Sequence, residues 1–125
     1  MSSINYYAVF NTKLIDFLED LGGVLGSVPD YKTLVASAKF LARMNERQNA
    51  KLFVQYVSGP YSQEIMDRNE SFFVDREYKE ASDANAGDIV QLLKGVWTNL
   101  AVQDKDSIWA HLHMLVTIAG RLPSV

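Results

Sequence analysis

No cysteine occurs among the 125 residues. This removes a disulfide framework, thiolate ligation of zinc and a cysteine nucleophile together, and it fits a reducing compartment. Proline and glycine are also scarce, at three and seven residues, which excludes the Pro/Gly-rich composition of disordered or low-complexity chains. Long apolar runs are missing. None approaches the roughly 20 residues that a membrane-spanning helix requires. The opening Met1-Ser2-Ser3-Ile4-Asn5 has no basic region leading into an apolar run and no glycine at position 2. Neither a secretory signal nor myristoylation is expected, and the chain reads as soluble, not secreted and without a membrane partner. Sustained polar/apolar alternation is absent too, so a sheet is not expected.

What the sequence does have is helical periodicity. Tyr7, Phe10, Leu14, Phe17, Leu18 and Leu21 fall on one face of a helix expected over 5–21, with Asn11, Lys13, Asp16, Glu19 and Asp20 elsewhere. Gly22-Gly23 is expected to end it. Ser27-Val28-Pro29-Asp30 has the form of a capping box opening a second helix, whose apolar face is Leu34, Val35, Ala38, Leu41 and Ala42. A break at 44–46 leads to a third helix over 46–57, with Asn45 and Gln48 as a further capping pair and Ser58-Gly59-Pro60 as its stop.

A short helix is expected in "YSQEIMDRN", another turn over 78–81 and a loop over 82–87. Two clear helices follow. One carries Ile89, Leu92, Leu93, Val96, Trp97 and Leu100, the other Ile108, Leu112, Leu115, Ala119 and Leu122. Their short connection predicts an antiparallel pair. The expected fold is all-α, a single domain over 1–125 built as an orthogonal or antiparallel bundle of five to six helices.

Charge is unevenly placed. Lys32, Lys39, Arg43, Arg47 and Lys51 stand against Glu46 alone between residues 31 and 51, whereas eight acids face three bases between 62 and 88. A basic face and an acidic one are expected. The basic residues span two helices joined by a break, the outline of a helix-turn-helix, so this stripe is a candidate face for nucleic acid or for an acidic protein partner.

Catalytic signatures are lacking. His111 and His113 are the only histidines, and two positions apart on a helix they point about 200° from each other, which prevents a shared metal. Glu64 and Asp67 share a helical spacing that also occurs on any solvated face. Ser62, Ser71 and Ser107 have no nucleophile-elbow context. Gly22-Gly23-Val24-Leu25-Gly26 follows a helix and lacks the lysine of a phosphate loop. No enzyme activity, cofactor or metal is expected.

The stretch "NESFFVDREY" sets Phe72 and Phe73 side by side among polar residues. Neighbours on a helix point about 100° apart, so both cannot enter one core without a bend. One is free to anchor a partner, with Glu70 and Asp75 as a polar rim and Trp109, off the main stripe of its helix, as a companion. The block "FVQYVSGPYSQEIMDRNESFF", with "FNTKLIDFLEDL" before it, resembles small all-helical proteins of unassigned activity from large nucleocytoplasmic DNA viruses of algae and protists. Tyr56, Pro60, Tyr61, Glu70, Ser71, Phe72 and Phe73 carry that resemblance, which covers about the first 80 residues. It implies a virion component or an adaptor in the cytoplasm of the infected cell. The expected function is a non-enzymatic protein–protein interaction module, with self-association into a homo-oligomer permitted by the opposite charges. The alternative is nucleic-acid binding through the basic stripe of residues 32–51.

Overall fold

The computed structural model describes residues 4–71 and 88–122, with the backbone alone for 88–91. Every regular element among them is helical, and they pack around one apolar core. The fold is an all-α bundle.

Helix α1 (Tyr6–Asp20) is its centre and touches helices from both halves of the chain. Asn5 caps its start by accepting from the Ala8 N–H at 3.2 Å. All six expected core residues, Tyr7 to Leu21, are buried, each worth roughly 1.5–3 kcal/mol if fully transferred from water. The double glycine does not end helical structure as expected. The chain bends at Leu21, then Gly22–Leu25 forms one more turn, α2, which drops Leu25 into the core.

Helix α3 (Tyr31–Met44) starts without the expected capping box. Successive turns, Val28 N–H to Leu25 carbonyl and Tyr31 N–H to Val28 carbonyl, lead into it instead. The buried Tyr31 hydroxyl donates to the Leu18 carbonyl and so fastens the start of α3 to the end of α1. Burial pushes the Tyr31 hydroxyl above the usual tyrosine range; Glu19 adds to the rise and Lys39 opposes it.

Helix α4 (Gln48–Phe53) does not stop at the glycine–proline step. It widens into a π-turn over Val54–Ser58 and continues as α5 (Gly59–Met66). The cause is Pro60, which has no N–H and whose ring collides with the carbonyl four residues back in a regular α-helix. Widening moves the Gly59 N–H onto the Val54 carbonyl, five residues away. Gly59 is required there, because a Cβ would stand 2.6 Å from that carbonyl oxygen. The kink is completed at Tyr61 (φ −129°, ψ 17°).

Helix α5 ends with Arg68 in the left-handed region at φ 51°. The Asn69 N–H reaches the Glu64 carbonyl and the Arg68 N–H the Ile65 carbonyl, the two bonds of a Schellman ending, with arginine where glycine is usual.

Helix α6 (Asp88–Val96), a 3₁₀ turn (Trp97–Asn99) and α7 (Val102–Ala119) complete the described chain. The antiparallel pair expected of the last two helices is not their main packing. α6 lies on α2 and α3, whereas α7 lies on α1, α5 and the π-turn; the short 3₁₀ link lets each follow its own neighbours.

Asn11, expected on the polar side of α1, is instead buried. Asn49, fully buried on α4, donates to Asn11 Oδ1 at 3.1 Å and to the Ala38 carbonyl at 2.9 Å, and Asn11 donates to the Glu46 carbonyl at 2.9 Å. This amide pair joins α1, α3 and the α3–α4 turn through the core.

Candidate functional site

The inward stripe of α3, Leu34 and Ala38 with half-buried Val35, Leu41 and Ala42, matches the sequence expectation. It leaves Lys32, Ala36, Lys39, Phe40, Arg43 and Met44 on the outward side, one or two turns apart along one face. Phe40 is 62% exposed and Met44 68%. Two large apolar side chains a helical turn apart, both in water and framed by cations, are the most conspicuous surface feature among the described residues. Ile4, 63% exposed, stands at the same end of the molecule, since its neighbour Asn5 donates to Glu46 Oε1 at 3.0 Å. Sequence reasoning missed Phe40 and Met44, although their positions outside the Leu34/Ala38/Leu41 stripe were readable.

The five bases of the stripe are not equivalent. Lys39 pairs with Glu19 at 3.0 Å, both half-exposed, a contact worth no more than about 1 kcal/mol. The Arg47 guanidinium sits 5.0 Å above the ring of buried Tyr7. Lys32, Arg43 and Lys51 are exposed and form no ion pair among the described residues. Helix α4 offers little for reading base edges: Asn49 is in the core, Gln48 is half-buried and Arg47 is held on Tyr7. The helix-turn-helix outline therefore has cations for phosphate without a reading helix.

The aromatic site expected around Phe72 fares differently. Phe72, Phe73 and Asp75 lie outside the described residues. Glu70 belongs to a structural node: the Trp97 indole Nε1 donates to its Oε1 at 2.9 Å and Lys105 donates to the same oxygen at 3.2 Å. These two bonds, the indole's first, hold the Glu70 carboxyl below the usual range. Trp109 was expected at the surface and is not available there. It is 3% exposed and meets Trp97 edge-to-face, ring centroids 5.3 Å apart, because the wide apolar arc of α7 admits position 109 beside Ile108 and Leu112.

The histidines have structural partners. His113 Nε2 donates to the Ile65 carbonyl at 2.7 Å, and His111 Nε2 lies 2.9 Å from Asp20 while its ring stacks on Phe17. No group of three potential metal ligands occurs among the described residues, and none of their helices is long and apolar enough to cross a membrane. Asp67 accepts from Gln63 at 3.0 Å.

A second feature lies beside the π-turn. Val54, Ser58, Ser62, Val116, Ala119 and Gly120 line a groove of 300 Å³, open to the surface. No charged side chain lines it. Comparison of the chain with protein-family models, with curated proteins and with solved structures finds no match.

Proposed function

We propose that the chain is a non-enzymatic helical protein–protein interaction module and that it docks through the outward face of α3. The observation that carries this is the exposed pair Phe40 and Met44 within a frame of Lys32, Lys39 and Arg43. Apolar side chains left in water at the centre of a cationic rim gain free energy when a partner covers them. The rim selects the partner by charge: a protein surface with an apolar strip bordered by acids. The resemblance to helical proteins of large DNA viruses adds a setting to this proposal, a virion component or an adaptor in the infected cell.

The test is a titration of the ¹⁵N-labelled chain with a synthetic acidic amphipathic helix rich in Leu and Glu, and separately with mixed-sequence DNA and RNA. Shifts centred on Lys39–Met44 that disappear in Phe40→Glu/Met44→Glu are the expected result. Shifts along Lys32–Lys51 with nucleic acid alone, weakening steeply with salt, would move the function to the nucleic-acid alternative.

A further inference from the structure

We infer that the α3 face has a seat on a second copy of this chain: the groove beside the π-turn, which takes up Phe40 in a head-to-tail contact. The inference rests on the docking role proposed for α3. The groove has 300 Å³ of free space between α5 and the end of α7, with Val54, Val116 and Ala119 as apolar wall. That is the lower bound of the roughly 300–1,000 Å³ that encloses small ligands, and it admits a phenyl ring or a thioether. Met66, one turn beyond Ser62 and 45% exposed, continues the apolar border. Without a charge in its lining, the groove offers nothing to replace the hydration of an ionic group and favours an apolar one.

Ser58 gives the groove a polar point. It is 9% exposed, and its hydroxyl has no hydrogen-bond partner among the described residues. A donor arriving with the apolar anchor would satisfy its lone pairs, and Arg43, three positions after Phe40, has such donors.

Charge sets the orientation. Two α3 faces brought together would oppose Lys32, Lys39 and Arg43 with their own copies, which disfavours a two-fold contact. Helix α5 has Glu64 and, at its end, Asp67, with no base before Arg68, so α3 of one copy against α5 of the next is the favourable match. Arg121, which follows Gly120, is a base on the other wall, so the complementarity belongs to the α5 side. A face on α3 and a seat between α5 and α7 are different surfaces, so the contact is heterologous and leads to a ring or an open chain.

The experiment is light scattering over a concentration and salt series for the full chain, Phe40→Glu (anchor removed), Ser62→Arg (groove filled from α5) and Ala119→Arg (groove filled from α7), with circular dichroism confirming that each variant folds. The wild type is expected to gain mass with concentration and to lose it with salt. Each variant alone is expected to be monomeric. An equimolar mixture of Phe40→Glu with Ser62→Arg or Ala119→Arg is expected to form a dimer and nothing larger, since it retains one intact anchor and one intact groove. A wild type that stays monomeric overturns the inference, and the peptide titration then decides the docking role separately. Association lost in Phe40→Glu but kept in both groove variants also overturns it, while leaving α3 as the docking face. A mixture that forms no dimer overturns the head-to-tail contact itself.

Discussion

The Trp97 indole donates to Glu70 across 27 residues of sequence, N to O 2.9 Å, and Lys105 reaches the same oxygen while its ammonium stands 5.4 Å from the Trp97 ring. The carboxylate thus closes a link between the chain leaving α5 and the turn that joins α6 to α7. Its pKa is lowered in the folded state, so ionised Glu70 stabilises the fold. That contribution is present above the carboxyl pKa of the unfolded chain and is lost as pH falls through the lower folded value. Glu70→Gln keeps an acceptor for the indole and removes the charge. Urea titrations followed by tryptophan fluorescence should show a flatter acid limb for Glu70→Gln than for the wild type, and a lower midpoint at neutral pH for Glu70→Ala than for either. Identical acid limbs in wild type and Glu70→Gln would remove this carboxylate from the pH response.

Arg68 occupies the left-handed position of a helix ending that suits glycine, and its ion pair with Asp106 at 3.2 Å is exposed on both sides. Such a backbone conformation costs a non-glycine residue about 1–2 kcal/mol, whereas the pair returns no more than about 1 kcal/mol. Arg68→Gly should therefore be at least as stable as the wild type. Arg68→Ala loses the pair without relieving the backbone, and should fall about 1 kcal/mol below Arg68→Gly in denaturant unfolding.

Much of this architecture is legible in the residues, and the exceptions share a cause. The stripes on α1, α3 and the end of the chain repeat every three to four residues, so their burial follows from helical geometry alone. Pro60 reads as a stop because proline breaks a regular helix. The remedy, a π-turn admitted by Gly59, depends on a neighbouring carbonyl that periodicity does not show. Asn11 and Asn49 read as surface residues because each amide alone is costly to bury, and only their pairing in space makes burial acceptable. Trp109 is buried because α7 meets several neighbours and so needs a wider apolar arc than one stripe. Of the candidate site, the cations were evident from sequence, whereas Phe40 and Met44 became informative only once no other helix was found to cover them.

The amide pair has a measurable weight. Asn49→Ala leaves the Asn11 oxygen and the Ala38 carbonyl each without the donor it now has, in a place water does not reach. At about 1–3 kcal/mol for each buried group left unpaired, the loss should be on the order of 3 kcal/mol by urea unfolding. Asn49→Asp should be no better, because a carboxylate cannot donate to either acceptor. A cost below about 1 kcal/mol for Asn49→Ala would mean that water enters and replaces the amide.

Gly59 tests the account of the π-turn. A methyl group there would meet the Val54 carbonyl at 2.6 Å, and backbone must move to make room. Gly59→Ala should cost roughly 1–3 kcal/mol, the usual range for overpacking, whereas Gly23→Ala, with no atom within 4 Å of the added carbon, should not be destabilised through packing. Equal thermal midpoints for the two variants would show that the widened turn accommodates the methyl group without strain.

The last prediction separates anchor from core. Phe40 and Trp109 are both large aromatic residues on the outer helices, yet one is 62% exposed and the other 3%. Phe40→Glu should leave stability within about 0.5 kcal/mol of wild type, as is usual for surface changes, while removing whatever binding the α3 face supports. Trp109→Ala opens a cavity beside Trp97 and should cost about 3–5 kcal/mol. If Phe40→Glu unfolds the chain instead, its ring covers core in solution and the docking face on α3 is lost with it; stability kept and binding lost is the combination that an exposed anchor requires.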